Sequence, residues 1–262
     1  MMQLSLLNKN AFVGGSSAGI GRAVAIELAA LGASVTLVSR TESALQETLQ
    51  RLDTSQGQHH SYIVADFNDS EDLMAKVSAL LAHRTIHILV NNTGGPPAGP
   101  ILDAQPSDFL HAYHNHLICN HLLVQAMLPG MRAAGYGRII NIISTSVKEP
   151  IEQLGVSNTT RWAVAAWAKT LAGEVGVWGI TVNNVLPGFT RTERLYALIK
   201  KRADAAGLSA EEVAEQFRRQ VPLGRFAEPE EIAAAVAFLA SPAAAYINGI
   251  NLPVDGGRTK SL

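Results

Sequence analysis

Val13-Gly14-Gly15-Ser16-Ser17-Ala18-Gly19-Ile20-Gly21 decides the fold. An apolar run, Ala11-Phe12-Val13, leads into it, and an apolar-periodic segment over residues 22–31 leads out. Strand, glycine turn and helix in that order make an anion site. Glycines remove the Cβ atoms that block close approach, and a helix N-terminus presents free N–H groups. A dinucleotide pyrophosphate suits such a turn, with Gly15, Ser16, Ser17, Gly19, Ile20 and Gly21 around it. The spacing is Gly-x-x-x-Gly-x-Gly over Gly15, Gly19 and Gly21, not the common Gly-x-Gly-x-x-Gly. A structural turn uses the same residues; the strand-to-helix setting is what favours a nucleotide.

Outward from this turn, short β-branched runs alternate with helical patterns nearly to the end of the chain. Residues 35–38, 62–65, 86–90, 139–143, 180–186 and 247–254 read as strands. Helices are expected from a Thr41 cap to about residue 52, from Asp69 or Ser70 to 82, and from a Ser107 cap to about 133. Two more run from about Ser157 to 177, and from Glu228-Pro229 to 240 with proline at the first helical position. Near-continuous apolar strands with helices between them predict a parallel sheet covered on both faces, an α/β three-layer sandwich. No repeat or linker divides the 262 residues, so one domain (1–262) is expected, with a charged helical lid at about 191–221.

Net charge is −1, which gives no electrostatic reason to expect nucleic acid or an anionic membrane as partner. Cys119 is the one cysteine, so no internal disulfide forms and the cytoplasm is the default compartment. The N-terminus has no basic n-region with a full h-region, and no apolar stretch approaches the roughly 20 residues of a membrane span. A soluble intracellular protein is the expectation.

The end of the second strand reads the adenosine ribose. A carboxylate there binds the free 2′-hydroxyl of NAD, but the chain has Ser39-Arg40. A cation beside a small hydroxyl suits a 2′-phosphate and favours NADP(H) over NAD(H), unless Arg40 is an ordinary surface cation. Asp66-Phe67 follows the third strand, where Asp66 meets the adenine edge or caps the next helix. Asn91-Asn92-Thr93-Gly94 follows the fourth, placing Asn92 and Gly94 at the cofactor or in a plain strand-end turn. The Gly/Pro-rich residues 94–100 lie past a strand's C-terminal end, where ligands bind in such sheets.

With these residues in place the chain resembles the short-chain dehydrogenase/reductase family over nearly its whole length. The blocks that carry the resemblance are Gly14-Gly15-Ser16-Ser17-Ala18-Gly19-Ile20-Gly21, Asn91-Asn92-Thr93-Gly94, Gly137-Arg138-Ile139-Ile140-Asn141, Asn183-Asn184-Val185-Leu186-Pro187-Gly188 and Val254-Asp255-Gly256-Gly257. Their look is closest to the 3-oxoacyl-acyl-carrier-protein reductases. The resemblance implies a Rossmann-type, doubly wound seven-stranded sheet of order 3-2-1-4-5-6-7. It also implies Pro187, Gly188 and Thr192 at the nicotinamide, and a homodimer or homotetramer.

The family's chemistry rests on Asn, Ser, Tyr and Lys, and three of the four are replaced. Ser144 matches the serine that polarises the substrate oxygen, or is a strand-end cap. The tyrosine position falls on Ser157, the lysine position on Arg161 and the asparagine position on His116. Ser157 and Arg161 are still i and i+4 on one helix face, which buries Arg161 or lines a cleft with it. An arginine there needs an anion, from the cofactor or an acidic substrate, and cannot relay protons. Ser157 is an N-cap or a weak acid.

On a helical wheel His116 shares a stripe with Phe109, Tyr113, Asn120, Leu123 and Met127, so it looks inward. It is a proton donor or relay, or a hydrogen-bonded core histidine; Tyr113 and Lys148 are alternative donors. His111, His114 and His121 fall on the opposite side without the partners of a zinc site, so no metal is expected there. The expected function is an NADP(H)-dependent oxidoreductase acting on a small-molecule carbonyl/alcohol pair with an atypical catalytic set. The alternative is a weak or inactive NADP(H)-binding sensor or structural protein.

Overall fold

Strand β1 (Asn10–Gly14) is buried at all but its first residue, as a strand must be when helices cover both sheet faces. A computed structural model describes residues 2–261. Around β1 lie β2 (Ser34–Ser39), β3 (Ser61–Val64), β4 (Ile88–Asn91), β5 (Gly137–Ile142), β6 (Ile180–Pro187) and β7 (Asn251–Val254). Their order is β3-β2-β1-β4-β5-β6-β7, and every pairing is parallel. The doubly wound expectation holds, and the reversal of order beside β1 puts a crevice at the strands' C-terminal ends.

Alternation along each strand feeds two cores. Ala11 and Val13 of β1 and Ile140 and Ile142 of β5 face one side, with α1 (Gly19–Ala30), α2 (Glu42–Leu49) and α9 (Pro229–Ala240). Phe12 and Ile139 face the other, with α3 (Ser70–Leu81), α5 (Cys119–Ala134) and α6 (Gly155–Val175). Both faces being apolar is why the strands read as unbroken hydrophobic runs. Helices α7 (Glu193–Ala206) and α8 (Ala210–Arg219) pack on each other through Leu195, Ile199, Val213 and Phe217, away from the two main cores. No helix among the described residues is long and apolar enough to cross a membrane.

One row of the sheet is polar. Asn91, Asn141, Asn184 and Asn251 stand in register on β4, β5, β6 and β7. Each side-chain amide donates to the next carbonyl oxygen at 2.8 Å, Asn91 to Asn141, Asn141 to Asn184 and Asn184 to Asn251. The row thereby gives each of its three inner links a partner inside a largely apolar sheet, while Asn91 Oδ1 at its end has none among the described residues.

Several boundaries differ from the sequence reading. The helix expected from a Ser107 cap begins at Pro106, capped by Gln105 in a reciprocal box with Asp108. It is not continuous: α4 (Pro106–Tyr113) and α5 are joined by a π turn, His114–Ile118. Helix α6 starts at Gly155, so Ser157 lies inside its first turn and is not the N-cap. Thr41 holds the N-cap position of α2 but its side chain makes no capping bond, and Asp69, not Ser70, caps α3. Gly32, with φ +98°, turns the chain after α1. Pro229 opens α9, as expected.

Candidate active site

The glycine turn is built so tightly that Gly15 and Gly21 have no room for a Cβ. Gly15 and Gly19 have φ of +57° and +52°. A Cβ on Gly21 would stand 2.2 Å from the Gly15 carbonyl oxygen and 2.7 Å from Asn92 Nδ2. Asn92 donates from Nδ2 to the carbonyls of Gly14 (3.1 Å) and Gly15 (3.4 Å), so its amide braces the turn from β4. Ser16 is fully buried and faces β2, accepting from Val38 N at 2.8 Å and donating to Val38 O. The Ser17 carbonyl accepts from Arg22 Nε at 3.0 Å. What remains open above the turn is backbone, the requirement for a phosphate.

Farther out, Ser39 is buried and accepts from Thr41 N, while Arg40 is 72% exposed. Arg40 Nη1 lies 3.9 Å from Asp66 Oδ2, a loose surface pair. Asp66 Oδ1 accepts from both nitrogens of Asn68 at 2.9 Å; it closes its own turn and does not cap α3. The Phe67 ring packs against Gly14, within 3.2 Å of where a Cβ would stand. Thr192, the N-cap of α7, reaches across the crevice, its Cγ2 3.1 Å from a Cβ built on Gly19.

A cleft of about 760 Å³ runs from the glycine turn to the ends of β5 and β6. It brings together Gly15, Gly19, Ile20, Gly21, Asn92 and Gly94 with Ser144, Ser157, Arg161, Pro187, Gly188 and Thr192. Ser16, Ser17, Ser39, Arg40, Asp66, Phe67 and His116 are not on its wall.

Ser144 follows β5 in extended backbone, and its Oγ accepts from Ser146 N at 3.0 Å. That bond uses a lone pair and leaves the hydroxyl proton for an oxygen in the cleft. Arg161 is 8% exposed and donates from Nη1 to the Ile142 carbonyl at 3.1 Å. Among the described residues it makes no ion pair. Burial, and after it Arg194, lowers its pKa to about 10, so it remains a cation at neutral pH. Ser157, one turn earlier on α6, is buried beside it.

His116 points inward, as the wheel predicts, but stops one residue short of the cleft. It is 2% exposed, and its Nδ1 shares a 2.7 Å hydrogen bond with the Thr93 hydroxyl; Thr93 forms the wall. Burial first, then Arg161 and Arg194, depress its pKa to about 2. The imidazole is therefore neutral, which removes it as a proton-donating acid near pH 7. Tyr113 departs from the predicted stripe: it is exposed, because the wider π turn that follows rotates the helix face. The same turn half-buries His114, whose Nε2 is fully buried with no hydrogen-bond partner among the described residues, while His111 and His121 stay exposed and His121 Nδ1 accepts from Trp167 Nε1.

Sequence reasoning missed the arginines of this cleft other than Arg161, among them Arg194, Arg202 and Arg258. Arg194 donates to the carbonyls of Gly95 and Pro96, Arg202 to that of Glu152, and Arg258 stacks over Phe189 with Nη1 3.4 Å from Thr145 Oγ1. Arg194 lies two residues after Thr192, and Arg258 directly follows the Val254-Asp255-Gly256-Gly257 block; those neighbours were the only signal.

Comparison with known proteins agrees with this geometry. A family described as Enoyl-(Acyl carrier protein) reductase matches residues 15–259. The 3-oxoacyl-[acyl-carrier-protein] reductase FabG of Pseudomonas aeruginosa is 34% identical, over 97% of this chain and 98% of that protein. A tropinone reductase homolog of Arabidopsis thaliana is also 34% identical, over 97% and 94%. The L-sorbose reductase of Gluconobacter frateurii, solved with NADPH and L-sorbose, superposes with a TM-score of 0.92 at 31% identity, covering 100% of both chains. Fold, cleft position and relatives converge: the chain belongs to the short-chain dehydrogenase/reductase family.

Proposed function

We propose that this chain is an NADP(H)-dependent oxidoreductase that interconverts a carbonyl and an alcohol with an atypical catalytic set. The observation that carries the reading is Ser144, whose hydroxyl donates to no partner among the described residues, in one cleft with a turn whose Gly15 and Gly21 leave no room for a Cβ. The presence of NADPH in the L-sorbose reductase structure supports the cofactor, as does Arg40 in place of an acid after β2. The glycine turn would hold the pyrophosphate, Arg40 and Ser39 the 2′-phosphate, and Pro187, Gly188 and Thr192 the nicotinamide. When bound, NADPH supplies a hydride to the carbonyl carbon.

The chain's own residues then act on the carbonyl oxygen. Ser144 donates a hydrogen bond to it, and the nearby Arg161 charge stabilises the oxyanion that develops. The proton that completes the alcohol comes from solvent through the Ser144 and Ser157 hydroxyls. His116 holds Thr93 in place as a neutral ring. Loss of a dedicated acid costs roughly 10²–10⁴ in rate and leaves the reaction possible.

A neutral His116 and a non-titrating Arg161 also favour a second reading, a weak or inactive NADP(H)-binding sensor or structural protein. A carbonyl-reductase panel followed by NADPH absorbance separates the two. Turnover of a ketone or aldehyde that falls at least tenfold in Ser144→Ala supports the enzyme; tight NADPH binding with no turnover supports the sensor.

The same reading makes α7 and α8 the substrate lid, since Arg194 and Lys201 tie α7 to the 95–98 carbonyls across the crevice. It also includes a homodimer or homotetramer through the face where Leu110, Ile118 and Trp162 are exposed, in the cytoplasm.

A further inference from the structure

The wall of the cleft beyond Ser144 carries more positive charge than a neutral carbonyl compound requires. Arg161 is anchored on Ile142, and Arg258 on Thr145, so the two guanidinium groups flank the strand end that presents Ser144. Arg202 and Arg194 enter the same cleft from α7. Arg202 Nε and Arg258 Nε are buried donors with no hydrogen-bond partner among the described residues. None of Arg161, Arg194, Arg202 and Arg258 makes an ion pair there, although Arg191, Arg218 and Arg225 nearby all do.

The carboxylates in reach are engaged elsewhere. Glu149 Oε1 accepts from the backbone of Lys260 and Ser261, and Asp255 accepts from Gly257 N and Thr259 N. Glu193 and Glu230 also border the cleft, but both are exposed at the first turns of α7 and α9. Burial lowers the Arg258 pKa, with Asp255 and Glu149 opposing and Arg202 adding to the fall. Like charges gathered in a half-buried wall are costly until an anion joins them.

The cofactor's own anions do not meet this need. Its pyrophosphate belongs at the glycine turn on β1, and its 2′-phosphate at Arg40 beyond the cleft wall, whereas these arginines surround the β5 end. We infer that the substrate itself is anionic, with a carboxylate or phosphate seated against Arg202 and Arg258 while its carbonyl or hydroxyl oxygen meets Ser144. Guanidinium forks with free N–H groups suit the paired oxygens of either group. The inference rests on the oxidoreductase reading above and names the substrate class of that same site.

The test is calorimetric titration of the full chain saturated with NADP+, which keeps the cofactor site closed to added anions. One arm uses 3-hydroxybutyrate, 2-oxoglutarate and gluconate; a second uses glycerol 3-phosphate and dihydroxyacetone phosphate; a third uses 3-hydroxybutanamide and glycerol as neutral counterparts. The expected result is binding in one anionic arm at least tenfold tighter than its neutral counterpart. Arg202→Gln and Arg258→Gln lose at least tenfold of it, and Arg202→Lys and Arg258→Lys, which keep the charge, lose less. The arm that binds tells carboxylate from phosphate. Equal binding of the neutral compounds, no binding in either anionic arm, or unchanged binding in the glutamine variants overturns the inference. NADPH fluorescence titration of the same preparations before NADP+ is added isolates the failure: anion results against the inference with NADPH bound leave the cofactor reading standing. Absence of NADPH binding overturns both.

Discussion

His116 Nδ1 and the Thr93 hydroxyl are 2.7 Å apart, with Thr93 on the cleft wall and His116 behind it. The pairing replaces a candidate acid with a structural support. A histidine whose folded pKa lies far below about 6.5 leaves stability unaffected above that pH. Below it the unfolded chain takes up a proton the folded chain refuses, and stability falls as pH drops toward the folded value of about 2. Denaturant unfolding at pH 7.5 and pH 5 is expected to show a loss of ~2 kcal/mol from this residue, at ~1.4 kcal/mol per unit. His60 and His87, also lowered by burial, add to it in the same direction. His116→Asn should flatten the dependence; an unchanged slope would mean the imidazole is protonated in the fold.

Arg40 is exposed and its pairing with Asp66 is long, so Arg40→Ala should alter stability by less than ~1 kcal/mol. Its effect belongs to the cofactor. Fluorescence titration is expected to show NADPH affinity falling by roughly tenfold or more, as for a lost charge-assisted bond, while NADH changes little. Equal losses for both would remove the 2′-phosphate assignment.

Gly21→Ala puts a methyl group against the Gly15 carbonyl and the Asn92 amide, neither of which can retreat without opening the turn. A loss of ~1–3 kcal/mol in thermal unfolding, together with loss of NADPH binding, is expected. Gly94→Ala is the matched control, since nothing lies within 4 Å of its Cβ position. It should melt within ~0.5 kcal/mol of the parent.

Ser157→Tyr with Arg161→Lys restores a phenol and an amine one turn apart on α6 and aimed at the cleft. If the proton relay is the missing part, reductase turnover rises by roughly 10²-fold or more. The anionic-substrate reading adds a distinction, because Arg202 and Arg258, which hold the anion, are untouched and lysine keeps the charge at position 161. KM for an acidic substrate should change little while kcat rises. No gain in kcat would mean that the cleft is shaped for a different proton route.

The glycine turn and the apolar runs made the sheet legible, because burial on two faces leaves a continuous hydrophobic imprint. Ser157 and Arg161 were legible as a pair because four residues is one helical turn. Tyr113 was not, because a wheel assumes constant pitch and the π turn at His114–Ile118 breaks it. Arg194, Arg202 and Arg258 escaped for another reason. They meet in space only through the β6–α7 crossing and the chain's last turn, and nothing local marks a cation as lacking a partner.

The row of asparagines works like the tumblers of a lock. A parallel sheet dominated by valine, leucine and isoleucine slides easily, since one aliphatic residue replaces another at little cost. A one-residue offset that brought Val185 opposite Asn141 would leave Asn141 and Asn184 facing hydrocarbon, each unpaired amide costing ~1–3 kcal/mol. Only one alignment of four strands closes the whole row. Asn91, where the row ends, is bonded in sequence to Asn92, which braces the glycine turn. The alignment that closes the sheet therefore also sets the height of the phosphate cradle, and a chain that has folded wrongly has no place to bind its nucleotide.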